Sequence, residues 1–257
     1  MQLSVITLTY NSANVIVEQL RSVRHACEGA SFEHMVVDNG SADGTIALIR
    51  KEFPDIRVIE NKKNLGFAVG NNVGVQVAAG EFVLFLNPDM RFPVGERLSK
   101  WIDWMRAHSD VGISGCKLVN ERGGVNLQAT PRRFPRPWEI VAILLKIPHL
   151  FPKILDSYLC RDRDFTKEQT VDSVRGSCML VRRELIEKLG HAFDPRYFFW
   201  FEDVDLCREA GRFGMKVVYT PTVSCFDLVG QSVKKKNLWW KQKQFTKSAV
   251  QYFWKWK

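Results

Sequence analysis

The sequence predicts an α/β domain with a mostly parallel sheet, flanking helices and a C-terminal helical appendage. Short, almost wholly apolar runs alternate with amphipathic segments through the first half of the chain, the pattern of strands linked by helices. Those runs show no polar face, as expected of parallel strands covered on both sides. Polar residues gather at their C-terminal ends, at Thr9 to Ser12, Asp38 to Ser41 and Asn87 to Asp89. In an open parallel sheet, that edge is where ligands bind.

Taken in order, LSVITLTY opens the fold as a strand, and Asn14 to Cys27 follows as a helix. HMVVDN is the second strand, and Asp43 to Phe53 is a helix stopped by Pro54, which cannot continue it. Asp43 or Ser41 is placed to cap that helix. IRVIE is a third strand, GFAVGNNVGVQVAAG a helix rich in small residues, and EFVLFLN a fourth strand. Gly95 to His108 then reads as a helix and VGISGCKLV as a strand. A Pro/Arg-rich stretch, TPRRFPRPW, leads into the apolar segment WEIVAILLKIPHLF. SCMLVRREL is a strand running into a helix, and MKVVYTP and TVSCF are two further strands. Asn237 to Lys257 is compatible with a helix.

The 257 residues, 46% hydrophobic and 25% charged, fit one large domain with a substantial core. No apolar run is long enough to span a bilayer, since the best one is broken by Lys146 and Pro148. The N-terminus lacks the regions of a signal peptide, so a cytoplasmic location is expected. The six cysteines show no metal-binding spacing and read as free thiols. The net charge of +9 is concentrated in a tail where no acid follows Asp227, while eight lysines interleave with Trp, Phe and Tyr. Nucleic acid or an anionic membrane surface would suit such a tail.

Two strand ends carry candidate chemistry. Asp38 opens the turn of VVDNGSADGT, and Asp89 ends FVLFLNPD behind the stiff Pro88. A carboxylate so placed suits a hard cation that also takes phosphate oxygens. Both segments are also good turn chemistry. No dinucleotide fingerprint, phosphate loop or G-x-S-x-G elbow is present. The stretch YFFWFEDVDLC sets aromatics against Glu202, Asp203 and Asp205. Acids in a helix's first turn favour its dipole, and Asp205 is spaced to pair with Arg208.

SVITLTYNS, VVDNGSADGT, NLGFAVGNNVG, FVLFLNPD, GSCMLVRRELIEKLG, FDPRYFFWFEDVDLC and GMKVVYTP occur in the order seen in inverting family 2 glycosyltransferases of the GT-A fold, and the chain resembles the rhamnosyltransferase-like members. The resemblance runs from about Leu3 to Ser232. It implies a Rossmann-like nucleotide-binding domain over 1–232 and a basic aromatic helix over 233–257. It also implies transfer of a sugar from a nucleotide-diphosphate donor to a glycan or lipid-linked acceptor in cell-surface polysaccharide synthesis. By that resemblance Thr9, Tyr10 and Asn11 line the nucleotide pocket and Asp38 accepts a hydrogen bond from the base. Asn64, Gly66 and Asn71 border nucleotide and sugar, and Asn87 stands for the first acid of the family's metal motif. Asp89 ends that motif and holds Mg²⁺ or Mn²⁺, and Asp203 is the catalytic base. Gly176, Trp200 and Glu202 wall the acceptor side, and Asp205 is left a structural role.

Two residues depart from the family. Asp227 stands about where the family has a His that meets metal or diphosphate, and Glu209 where it favours Arg. Asp227 could hold the cation, but adds a negative charge beside the diphosphate. A sugar-nucleotide pyrophosphorylase is disfavoured because its glycine-rich N-terminal signature is absent. A nucleic-acid-binding protein using the Lys/Trp tail leaves the strand-end acids unexplained. The tail points instead to peripheral attachment at the inner face of the cell membrane, through Trp239, Trp240, Trp254 and Trp256.

Overall fold

The computed structural model describes residues 1–120, 122–126, 131–227 and 237–257. Its first half follows the order of apolar runs. β1 (Leu3–Thr9) and β2 (Phe32–Asp38) pair in parallel across α1 (Ile16–Ala26). β3 (Arg57–Glu60) joins β2 in parallel after α2 (Thr45–Glu52). β4 (Phe82–Leu86) returns to the other side of β1 after α3 (Phe67–Val75). Register places Thr9 opposite Asp38 and Asp38 opposite Glu60, so the polar strand ends share one edge.

The second half adds β5 (Met90–Arg91), α4 (Leu98–Ala107), β6 (Val111–Val119), α5 (Pro137–Leu144), β7 (Gln169–Thr170) and β8 (Cys178–Arg182). α6 (Arg183–Leu189), α7 (Glu202–Arg212), β9 (Lys216–Asp227) and α8 (Leu238–Lys255) follow. The 9-stranded sheet has the order β3-β2-β1-β4-β8-β6-β9-β5, with β7 beside β9.

Parallel pairing holds for β3-β2-β1-β4 and for β6 with β9. β8 runs antiparallel to both β4 and β6, which makes the sheet mixed. An apolar run records burial on two faces and not strand direction, so the sequence pattern left this insertion unmarked. The expected strands MKVVYTP and TVSCF are one strand, β9, whose register against β6 slips between Tyr219 and Ser224. Pro221, which has no N–H to give to the ladder, lies in that slip.

The cores follow the strand alternation of two. Ile6, Val83 and Phe85 face one cluster, while Val5, Phe82 and Leu84 face the other. α3 reaches the sheet closely because its glycines lack side chains. A Cβ at Gly74 would stand 2.7 Å from Ile6 Cγ2, and one at Gly70 2.6 Å from Leu8 Cδ1. Ala249 and Tyr252 of α8 belong to the first cluster, so this helix is packed on the body. The expected boundary between residues 232 and 233 lies outside the described residues. All six thiols are free and buried. Among the described residues no helix is long and apolar enough to cross a membrane.

Candidate active site

The C-terminal edge of β1 and β4 opens into a cavity of about 330 Å³. Thr9, Tyr10, Asn64, Gly66, Asn87, Asp89, Trp200 and Asp227 of the expected site line it. A second chamber of about 220 Å³ adjoins it and is lined by Gly176, Trp200, Glu202 and Asp203. The two chambers share Phe67, Asn87, Arg175, Ser177, Phe199 and Trp200 as walls.

Asp89 and Asp227 are far apart in sequence and adjacent in space. β5 pairs Met90 with Asp227, so the antiparallel ribbon sets the second acid beside the first at the cavity wall. Both are buried, and Asp227 Oδ2 accepts from Asn126 Nδ2 at 3.4 Å. Among the described residues no cluster of three or more His, Cys, Asp or Glu forms a complete cage. Two carboxylates facing an open cavity fit a cation such as Mg²⁺, which keeps waters and takes substrate phosphate oxygens. Asn87, at the first position of the motif, donates its backbone N–H to the Ser177 carbonyl at 2.9 Å and lines both chambers.

Three expected site residues line neither chamber, and each serves the scaffold. Asp38 is fully buried and accepts from Thr9 Oγ1 at 2.7 Å, Gly40 N at 3.0 Å, Ser41 N at 2.7 Å and Ser41 Oγ. With both oxygens engaged, it shapes the turn, and its neighbour Asn39 reaches the cavity. Asn11, at φ 53, ties the same loops together: its amide donates to Ser41 Oγ at 2.8 Å and its Oδ1 accepts from Ala42 N at 2.9 Å. Asn71 Nδ2 donates to the Phe67 carbonyl at 2.9 Å inside α3. Asp43 accepts from the amides of Thr45 and Ala13, each at 3.1 Å, and so steadies the start of α2.

Gly66 is required by close approach, and Gly176 packs tightly against Asp203. At φ +84 a Cβ on Gly66 would fall 2.5 Å from the Phe198 carbonyl oxygen, which already accepts from Phe67 N at 2.7 Å. Gly176 N donates to Asp203 Oδ2 at 3.1 Å, and a Cβ there would lie 3.2 Å from Asp203 Cβ. Asp203 is thereby aimed from the first turn of α7 into the second chamber. Its neighbour Glu202 is buried, and Oε2 has no hydrogen-bond partner among the described residues. Burial, and then the charge of Asp203, hold the Glu202 carboxyl well above the usual range.

The aromatic segment before them is held in an unfavourable backbone. Trp200 and Phe201 have φ of 68° and 70°, which costs roughly 1–2 kcal/mol per residue for a side chain with a Cβ. Packing overcomes this. The Trp200 ring lies 4.6 Å from Phe199 and 5.8 Å from Phe245, and Phe201 lies 5.3 Å from Phe245 and 5.4 Å from Tyr252. Ser248 Oγ donates to the Phe199 carbonyl at 2.8 Å. α8 therefore braces the wall shared by the two chambers.

That role corrects the reading of the tail. Trp240 lines the larger cavity and Trp256 Nε1 donates to Asp205 Oδ1 at 2.7 Å, so neither is turned to a membrane. Trp239 and Trp254 are exposed. The expected pair of Asp205 with Arg208 is also replaced. Asp205 takes Lys255 Nζ at 2.7 Å, Trp256 and the Tyr197 hydroxyl. Arg208 lies over the rings of Phe134, Tyr252 and Trp256. Glu209, the second departure, pairs with Lys255 at 2.8 Å and Arg212 at 3.2 Å.

Arg175 escaped the sequence reading. It lines both chambers. Burial, reinforced by the like charge of Arg132, lowers its guanidinium to about 10, against the pull of Asp227 and Asp203. It stays charged at neutral pH. Its only sequence signal was an arginine directly before GSCML, which on its own reads as a surface charge.

The model of the family described as Glycosyl transferase family 2 matches residues 4–190, and that of Glycosyltransferase like family 2 matches 160–249. N-acetylglucosaminyl-diphospho-decaprenol L-rhamnosyltransferase of Mycobacterium tuberculosis is 27% identical over 237 residues, covering 86% of this chain and 74% of the relative. The structure of a mannosyltransferase from Pyrobaculum calidifontis, in complex with GDP-Man and Mn²⁺, matches with a TM-score of 0.64 at 22% identity, covering 97% of this chain and 64% of that one. S. aureus TarS 1–349 in complex with UDP-GlcNAc matches at 0.57 and 20% identity, over 93% of this chain and 62% of that one. These likenesses establish a shared GT-A fold. The chain spans a little under two thirds of the length of those two solved structures.

Proposed function

From the premise that this chain belongs to glycosyl transferase family 2, we propose that it is an inverting glycosyltransferase. It transfers a sugar, rhamnose being the first candidate, from a nucleotide-diphosphate donor to a glycan or lipid-linked acceptor in cell-surface polysaccharide synthesis. The observation that carries this reading is the division of labour between the chambers. Asp89 and Asp227 line one, Asp203 lines the other, and Arg175 lines both.

The donor occupies the larger chamber and the acceptor the smaller. Asp89 and Asp227 would hold Mg²⁺ or Mn²⁺, which when bound neutralises charge on the leaving diphosphate. The guanidinium of Arg175 adds a fixed positive charge at the junction, in a site where burial strengthens it. Asp203, fixed by Gly176 N–H, takes the proton of the acceptor hydroxyl. The hydroxyl oxygen forms a bond to the anomeric carbon as the bond from that carbon to the diphosphate breaks on the opposite face. Phe67, Phe199 and Trp200 give the shared wall apolar surface and exclude water.

Purified protein incubated with a panel of nucleotide-sugars and Mn²⁺ tests this. At least one donor should raise the melting temperature and be slowly hydrolysed. A panel that neither stabilises the protein nor loses any sugar would overturn the reading, and a salt-sensitive mobility shift with RNA or DNA would replace it.

A further inference from the structure

An exposed apolar surface lies on the insertion between β6 and β8. On α5, Ile140 and Ala142 turn inward, while Trp138 and Val141, with Leu145 at the helix's C-cap, are exposed at helical spacing. Leu150 and Phe151 continue this surface through the turns that follow. All five of these residues are between 48% and 78% exposed, and a contiguous exposed apolar patch marks an interaction site.

The exposed charges within this stretch have one sign. Arg136, Lys146 and Lys153 are exposed. The only acid between residues 136 and 153 is Glu139, which is buried and paired with Arg133 at 2.8 Å. Exposed aliphatic and Trp side chains ringed by cations complement an anionic lipid surface, with the chains at the headgroup boundary and the cations near lipid phosphates. Nucleic acid would gain little from Val141, Leu145 and Leu150.

The same insertion closes the acceptor chamber. Arg132 and Tyr158 both line it and bracket the apolar face in the chain. Their neighbourhoods are tied, since Arg133 N donates to the Tyr158 carbonyl at 3.0 Å and Arg133 Nε to the Ser157 carbonyl at 2.9 Å.

We propose that the face formed by α5 and residues 145–153 docks the protein on an anionic bilayer, so that the acceptor chamber opens beside the membrane. The docking surface is then this insertion and not the Lys/Trp tail. Its consequence, that the acceptor is an amphiphile presented from the bilayer, rests on the glycosyltransferase reading.

Sedimentation of the full chain with phosphatidylcholine vesicles, with and without phosphatidylglycerol, tests the docking. The protein should pellet with the anionic vesicles at low salt and be released at high salt. The double variant Leu145→Asp, Phe151→Asp should partition about tenfold more weakly or worse. Lys146→Glu with Lys153→Glu should lose most of the salt-sensitive part. Trp239→Asp with Trp254→Asp, on α8, should stay within about twofold of wild type by the same principle. All these side chains are exposed, and circular dichroism checks that each variant is folded. Insertion variants that pellet like wild type, release by the α8 variant instead, equal binding to neutral vesicles, or no binding at all would each overturn the proposal. So would self-association abolished by Leu145→Asp, which would assign the face to a second copy of the chain. Nucleotide binding on the same samples reads the glycosyltransferase proposal separately, because docking requires no donor.

Discussion

Lys255 Nζ lies 2.7 Å from Asp205 Oδ2, joining the last turn of α8 to α7, the helix whose first turn carries the candidate base. The same ammonium meets Asp194 at 3.0 Å and Glu209 at 2.8 Å. Burial lowers the ammonium's proton affinity, but the three carboxylates outweigh it and hold its pKa above the ordinary value. At Asp205 the balance is reversed: burial outweighs Lys255, and the carboxyl is raised.

Lys255→Met should therefore destabilise the protein by about 3 kcal/mol or more, because it leaves buried acids without their cation. Urea denaturation measures this. A lysine raised in the folded state contributes stability below its unfolded pKa and loses it as pH rises through the folded one. The gap between wild type and variant should thus be full near neutral pH, closing in alkali as Lys255 loses its proton and narrowing in acid as its carboxylate partners gain theirs. The wall at Trp200 should loosen with it, seen as a change in tryptophan fluorescence.

Asp203→Asn keeps an oxygen for Gly176 N–H but removes the proton acceptor. Sugar transfer should fall by roughly 10²-fold or more, while calorimetric donor affinity is largely retained. Transfer at the wild-type rate would remove Asp203 from the mechanism.

Asp89→Ala should abolish the part of nucleotide affinity that EDTA removes. Asp227→Asn should cross over. It binds nucleoside diphosphate more tightly than wild type in EDTA, where one negative charge beside the diphosphate has gone, and more weakly in Mn²⁺, where a cation ligand has gone. Calorimetry under the two conditions checks the crossing, and chelation without effect on wild type would make the enzyme metal-independent.

Glu202→Gln should stabilise the protein increasingly as pH rises. A carboxyl raised in the folded state contributes stability below its unfolded pKa, and that contribution is lost as pH climbs toward the folded value. For one proton the loss runs at up to about 1.4 kcal/mol per pH unit. Glutamine carries no such proton, so the melting temperatures of wild type and variant should coincide in acid and diverge above the ordinary carboxyl range. Parallel pH curves would show that Glu202 is ionised in the folded protein.

The apolar runs and the polar residues at their ends determined the α/β class, the ligand edge and the strand-end candidates Asp38 and Asp89, while Asp203, Gly66 and Gly176 entered through the family resemblance of their motifs. Those signals are local, because strand burial and turn chemistry are set by neighbours in the chain. Which carboxylates meet was a matter for the tertiary structure. Asp227 reaches Asp89 through the antiparallel β5–β9 ribbon, and Asp38 accepts both from Thr9, opposite it in register, and from Gly40 and Ser41 of its own turn. The lysines and aromatics of the tail look alike in sequence. Packing alone turned Trp240, Tyr252, Lys255 and Trp256 inward and left Trp239 and Trp254 in solvent. A side chain's burial depends on what distant segments bring to its face of the helix, and composition carries no record of that.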